Sequence, residues 1–176
     1  MRKLKLEELS RYSIEEYHSV DKLPVIIVLD NLRSASNVGS VFRSCDCMGL
    51  EGIALCGITA KPPHKEISKT AIGATSSVNW NYSESVVEVV TKLKAEGYLI
   101  LAIEQVTDSI ALSGFEFPKE RRIAFVLGNE VHGVSPEILP LLDHAIEIKQ
   151  YGTKHSFNVS VCAGIIMWEI NRQLRG

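Results

Sequence analysis

Apolar residues in this chain fall in short unbroken blocks separated by stretches of helical periodicity. The blocks are Val25-Ile26-Ile27-Val28-Leu29, Ile53-Ala54-Leu55-Cys56, Tyr98-Leu99-Ile100-Leu101-Ala102-Ile103 and Ile123-Ala124-Phe125-Val126-Leu127, and Ala145-Ile146-Glu147-Ile148 reads as a further strand interrupted by one charge. Continuous apolarity, as opposed to alternation, marks strands covered on both faces, as parallel strands are. Between the blocks the pattern predicts helices over 36–48, 64–72 and 85–96, the last stopped by Gly97. Pro62-Pro63 breaks the chain before the second of these, and 78–82 reads as one more strand. Ser135-Pro136-Glu137 predicts another helix start, with serine as N-cap and proline at the first helical position. A loop with Gly114 and Pro118 leads from the block ending at Ile103 to the one starting at Ile123, and a loop over 149–156 leads into a final helix ending near residue 174. Ahead of the first strand, 4–18 reads as a short amphipathic helix with Leu4, Leu6, Leu9, Ile14 and Tyr17 as its apolar contacts. Strands alternating with helices predict an α/β fold with a mostly parallel sheet flanked by helices. The expected division is a helical extension over 1–20 and one α/β domain over 21–176.

Composition narrows this picture without redirecting it. The length of 176 residues suits a single core. No apolar run approaches the ~18–20 residues that span a bilayer. Met1-Arg2-Lys3-Leu4-Lys5 is positively charged with no apolar signal core behind it, so the expected location is cytoplasmic, with no membrane partner. Cys45, Cys47, Cys56 and Cys162 read as small buried residues of a reducing compartment. Cys45 and Cys47 have no second ligand pair at a useful spacing, so no metal site is expected. The net charge of −2 does not announce a nucleic-acid binder. Positive charge is nonetheless clumped, for example around Lys61, Lys65 and Lys69 and around Arg172 and Arg175. Such clumps are either solvated faces or parts of a groove assembled across a dimer. The final helix sets Ser160, Ala163 and Gly164 among Val159, Val161, Ile165, Ile166, Trp168 and Ile170. Apolar around much of its circumference, it is expected to be buried on more than one side, within the monomer or against a second copy.

Candidate chemistry lies in three polar turns, each after an apolar run and before a helical pattern. They are Asn31-Leu32-Arg33-Ser34-Ala35-Ser36-Asn37-Val38-Gly39, Gly128-Asn129-Glu130-Val131-His132-Gly133, and His155-Ser156-Phe157-Asn158-Val159-Ser160-Val161. Helix starts present unpaired backbone N–H groups, and such turns at one end of a parallel sheet form ligand sites. No Gly-x-Gly-x-x-Gly follows the first strand and no Walker lysine motif occurs, which sets aside an ordinary nucleotide fold. On the helix after the first turn, Val38, Val41, Phe42, Cys45 and Met48 share one face, and Arg43 projects from nearly the opposite side. Asn31, Arg33 and Asn37 add planar hydrogen-bonding groups to this candidate anion-recognising surface.

In combination these residues carry a resemblance. Asn31-x-Arg33-x-x-x-Asn37-x-Gly39-x-x-x-Arg43, Gly128-x-Glu130-x-x-Gly133, and the run from Ser156 to Val161 closing on Trp168-Glu169 resemble, in order and spacing, the three motifs of the SpoU/TrmH-like RNA 2′-O-ribose methyltransferases. The resemblance implies a SPOUT fold with a deep C-terminal trefoil knot, a homodimer, and S-adenosylmethionine as methyl donor to a ribose 2′-hydroxyl of RNA. It implies catalytic roles for Arg43, Asn37, Glu130, Ser156 and Asn158. It implies cofactor contacts from Ala102, Ile103, Leu127, Gly128, Asn129, Glu130, Gly133, Ile148, Ser156, Phe157 and Asn158. Asn31, Arg33, Lys65 and Arg172 are the expected RNA contacts. In this scheme Arg43 orients an RNA phosphate, since a guanidinium stays protonated and makes a poor base. Asn37, Ser156 and Asn158 position the ribose and the helix ends, and Glu130 holds Arg43 or a loop across the dimer. The chain departs from the family at Ala35, Phe157 and Lys149-Gln150, where proline, leucine and proline-methionine are common. With only the short N-terminal helix and the 172–176 tail for additional RNA contact, tRNA is favoured over ribosomal RNA. The alternatives from other classes are a non-catalytic RNA-binding module and a small-molecule enzyme with a nucleotide cofactor.

Overall fold

The computed structural model describes residues 1–176, the side chain of Leu6 excepted. Seven strands form one sheet: β1 (Leu23–Asp30), β2 (Leu50–Cys56), β3 (Trp80–Ser83), β4 (Leu99–Ile103), β5 (Ile110–Ala111), β6 (Ile123–Leu127) and β7 (His144–Glu147). All neighbours pair in parallel, in the order β3-β2-β1-β6-β4-β7-β5. The helices are α1 (Ile14–Ser19), α2 (Ala35–Met48), α3 (Lys65–Ala71), α4 (Val86–Ala95) and α5 (Val159–Arg175). Among the described residues no helix is long and apolar enough to cross a membrane.

The unbroken apolar blocks are explained by two cores. Val25, Ile27 and Leu29 of β1 join Phe125, Val38, Phe42, Ile67 and Ile166 on the face covered by α2, α3 and α5. Val28 turns the other way, to Ile100, Val126, Val90 and Ile138 beneath α4 and a 3-10 turn at Pro136–Leu141. Each such side chain stabilises the fold by about 1.5–3 kcal/mol on leaving water. On α2, Val38, Val41, Phe42 and Cys45 are all buried, as their shared face predicts, and Arg43 is exposed. Gly39 is fixed by packing: a Cβ there would lie 2.1 Å from Thr70 Oγ1 and 2.4 Å from the Ile67 carbonyl oxygen. Glycine at this position lets α2 and α3 meet backbone to backbone.

Several expected elements differ. The helix over 4–18 is broken into a 3-10 turn at Leu6–Glu8 and the six-residue α1. Ser13 caps α1 in a capping box with Glu16, which starts a new helix where the periodicity suggested continuation. Tyr17 is buried, but Leu4 is 60% exposed and Ile14 is exposed too, so they do not pack the extension; Leu6 lies outside the described side chains. The strand expected over 78–82 begins at Trp80, because Val78 still closes the turn after α3 by donating its N–H to the Ala74 carbonyl. The helix expected at Ser135 is the 3-10 turn, which carries Pro140 inside it, and Ser135 makes no side-chain cap. Proline lacks the N–H an α-helical ladder needs. The region read as loop around residue 110 contains the edge strand β5.

Topology places the candidate site. β6 inserts between β1 and β4, and β7 between β4 and β5, so sequence-distant strands become neighbours. Their carboxyl ends bring the turns after β1, β4, β6 and β7 to one edge of the sheet, where open α/β folds bind ligands.

Candidate active site

A cleft of about 550 Å³ opens at this edge. Ile103, Leu127, Ile148 and Phe157 form its apolar surfaces, and Gly128, Asn129, Glu130, Gly133, Ser156 and Asn158 its polar rim. Ten of the eleven expected cofactor contacts therefore line one cavity. Ala102 does not. It is fully buried with Val126 and Ile100 in the core beneath α4, because alternation along β4 turns it away from the cleft that Ile103 faces.

The three polar turns are joined directly. The Glu130 carboxylate accepts from the backbone N–H of Arg33 at 2.9 Å, the N–H of Ser34 at 3.1 Å and Asn37 Nδ2 at 3.0 Å. Asn37 Oδ1 in turn accepts from Asn158 Nδ2 at 3.1 Å. Asn158 Oδ1 caps α5 through the Ser160 N–H at 2.9 Å. Asn129 Nδ2 donates to the Asn31 carbonyl at 2.7 Å, giving a second tie between the first and second turns. Partial burial pushes the Glu130 carboxyl up, but the N–H groups of Arg33 and Ser34 and the Asn37 amide outweigh it and hold it below the usual carboxylate range. Glu130 thus sits as an anion at the first turn of α2, where the helix dipole also favours negative charge.

Within the chain Glu130 holds the start of α2 and makes no bond to Arg43. Arg43 lies six residues beyond Asn37, about 9 Å along the helix and about 120° around it. It faces a different groove, lined also by Asp46, Cys47 and Ile72. Among the described residues its guanidinium has no hydrogen-bond or ion-pair partner. Ser156 is exposed on the cleft.

The expected RNA contacts divide. Arg33 and Lys65 are exposed. Asn31 is spent inside the fold: in left-handed conformation (φ 57°), its Oδ1 accepts from the Ile58 N–H at 3.1 Å and its Nδ2 donates to Asp30 at 2.8 Å. Arg172 is bound to Glu169 one turn earlier, at 2.6 Å.

Two positioning carboxylates carried no clear signal in the sequence. Asp30 is fully buried and accepts from the N–H of Ser135 at 2.6 Å and its hydroxyl at 2.9 Å, tying the end of β1 to the turn after β6. A charged residue ending an apolar strand was the available hint. Glu104 accepts from the Val134 N–H at 3.0 Å and holds the far side of the Gly128–Gly133 turn. Gly133 is required there: its φ is 69°, and a Cβ would lie 2.1 Å from Glu104 Oε2. Cys162 also lines the cleft, and burial pushes its thiol up, which disfavours a thiolate nucleophile.

Comparison with known proteins agrees with this geometry. The SpoU rRNA Methylase family matches residues 24–168. A tRNA (guanosine(18)-2′-O)-methyltransferase of Aquifex aeolicus is 34% identical over 153 residues, which cover 85% of this chain and 69% of that relative. The crystal structure of the A. aeolicus TrmH/SpoU tRNA modifying enzyme superposes with a TM-score of 0.81 at 28% identity, over 92% of this chain and 81% of that one. The AdoMet-bound rRNA methyltransferase from Sinorhizobium meliloti shares the fold at a TM-score of 0.81 and 24% identity, over 93% of this chain and 62% of its own. With a family match across most of its length, and its three motif turns hydrogen-bonded to one another, the chain belongs to the SpoU methyltransferase family.

Proposed function

We propose that the protein transfers the methyl group of S-adenosylmethionine to a ribose 2′-oxygen of RNA, tRNA being the favoured substrate, and that it acts as a homodimer. The observation that carries this reading is the hydrogen-bonded chain from Glu130 through Asn37 to Asn158, which joins three sequence-distant turns beside one cleft. The cleft fits the cofactor. It offers apolar surfaces for an adenine at Ile103, Leu127 and Phe157, and the Glu104 and Glu147 carboxylates for a cationic sulfonium and ammonium. Bound there, S-adenosylmethionine supplies an electrophilic methyl. The chain's own part is to align the attacking oxygen and exclude water. Asn158 and Ser156 face the ribose side of the cleft. Arg43 binds a phosphate of the RNA and stabilises charge as the oxygen attacks, and it remains protonated throughout.

Arg43 and the cleft of one chain face different ways, and this supports the dimer. A second copy brings its Arg43 to the first copy's cleft. The outer face of α5 supplies a surface for that contact: Val161 is 48% exposed and Trp168 56%, beside the exposed Phe157. Apolar groups of this size on one helix are costly to leave in water.

The test is transfer of labelled methyl from S-adenosylmethionine to unmodified tRNA and ribosomal RNA, with products mapped by resistance to alkaline cleavage. One protected linkage in tRNA is expected. Protection confined to ribosomal RNA overturns the substrate, and no transfer to either overturns the activity. Arg43→Ala lowers turnover at least about 100-fold, with cofactor affinity kept. Mixing inactive Arg43→Ala and Asn158→Ala chains restores about a quarter of wild-type turnover if the site is shared between copies. No restoration places Arg43 and the cleft of the same chain together and removes this argument for the dimer.

A further inference from the structure

A second groove lies apart from the cofactor cleft. It has a volume of about 780 Å³ and lies between the extension at 10–17, the exposed side of α2 and the turn that ends α3. This is within the range of about 300–1,000 Å³ that small-ligand sites occupy. The extension is anchored as one wall: Tyr17 is buried and donates its hydroxyl to the Asp46 carbonyl at 3.1 Å, and the His18 ring meets the Ser76 carbonyl oxygen at 3.3 Å. The inner charges are spent within the protein. Lys22 donates to the Tyr17 and Val20 carbonyls, Arg175 to those of Met48 and Gly49, and Asp46 accepts from the Ser77 hydroxyl. Asp21 remains on the rim. Arg11 and Arg43 line the groove with no side-chain partner among the described residues.

The two lips are apolar and solvent-facing. Tyr12, on the extension, is 65% exposed. Ile72, which lines the same groove, ends α3 in left-handed conformation at φ 49°, followed by Gly73 at 87°. Glycine is the residue that such a helix end favours, and a β-branched residue is strained there. The strain brings no packing in return, because Ile72 is 67% exposed. Strain of this kind persists where it serves a ligand. A planar aromatic, an apolar counter-surface and two unpaired guanidiniums are what an unstacked nucleotide requires: a sandwich for the base and charge for its phosphates.

We propose that this groove takes an unstacked nucleotide of the RNA substrate flanking the methylated ribose, with its base between Tyr12 and Ile72 and its phosphates on Arg11 and Arg43. The proposal rests on the RNA methyltransferase reading, which sets a phosphate on Arg43, and extends it by assigning the extension a part in substrate selection. The experiment measures binding of a fluorescein-labelled unmodified tRNA transcript, RNA KM in methyl transfer, and cofactor affinity. Tyr12→Ala weakens RNA affinity and raises RNA KM about tenfold, the size of one lost base stack, while Tyr12→Phe restores both. Cofactor affinity is expected to stay at the wild-type value. Ile72→Gly raises the melting temperature, by relieving the helix end, and still weakens RNA binding, a split that a purely structural role does not produce. Wild-type RNA affinity in both Tyr12→Ala and Ile72→Gly, with wild-type enzyme transferring methyl normally, overturns the groove assignment alone. Absence of transfer and of RNA binding by the wild-type protein overturns the functional reading and this proposal together.

Discussion

The two ends of the sheet each gather polar side chains from distant parts of the chain, and they do so to different effect. At the amino ends, Glu51 accepts from Tyr98 Oη at 2.6 Å and from the Arg122 guanidinium at 2.6 Å. Arg122 also donates to the Tyr98 hydroxyl and lies 4.1 Å over its ring. One negative charge meets one positive charge, and the cluster closes on itself. At the carboxyl ends, Glu130 receives only neutral donors, and the network stops at an open cleft with Asn158 on its rim. Contact between distant polar residues is thus common to a structural clasp and to a reactive site. Both clusters line a cavity, so what separates them is the charge and hydrogen-bonding capacity left over.

Breaking the carboxyl-end cluster carries the largest expected effect. Glu130→Ala strands two backbone N–H groups and the Asn37 amide, and lets the start of α2 shift against the cleft. Methyl transfer is expected to fall about 100-fold in kcat/KM, the scale of an ångström of misplacement, and Glu130→Gln to retain more. Equal activity of Glu130→Ala and wild type would reduce this cluster to the same rank as the amino-end clasp. Gly133→Ala forces a Cβ against Glu104 in a left-handed turn and is expected to cost about 1–3 kcal/mol in denaturant unfolding, with weaker cofactor binding.

Acid separates the two ends more gently. Because the folded state holds the Glu130 carboxyl below the usual carboxylate range, its contribution is present at neutral pH, above the unfolded value. It is lost as pH falls through the lower folded value. Stability measured across the acid range should therefore lose part of its decline in Glu130→Gln; identical profiles would show that the network does not bind protons differently on unfolding. The smallest effect is expected at the amino ends. Glu51→Gln breaks a partly exposed ion pair worth about 1 kcal/mol or less, and methyl transfer should be unchanged.

Much of this was legible along the chain, for reasons that particular residues make plain. β1 and β6 read clearly because both their faces are buried, leaving no polar alternation to confuse the pattern. The buried face of α2 followed from spacing alone. The motif residues were legible as types at intervals, and ten expected cleft residues line one cavity. Ala102 is turned into the core while Ile103 beside it lines the cleft, because a one-residue step along a strand reverses the face. Asn31 looked like an exposed polar group, yet its amide is consumed by the turn it shapes. Arg172 looked like a free cation and is paired with Glu169. The extension read as one helix because its apolar spacing outweighed the quieter capping signal of Ser13 and Glu16.

Local information was sufficient where the deciding forces are local. Periodicity, caps and helix-stopping glycines specify which segments become strands and helices, since each depends on neighbours within a turn or two. The insertion of β6 between β1 and β4 is not local, and neither is the bond from Asn37 to Asn158, 121 residues apart. Those depend on which buried faces find each other in three dimensions. Only that arrangement turned Glu130 toward the start of α2, set Arg43 on a different groove, and gave the exposed Tyr12 and Ile72 a common cavity. A side chain's type is written in the chain, but its partners are chosen by packing, and chemistry follows from the partners.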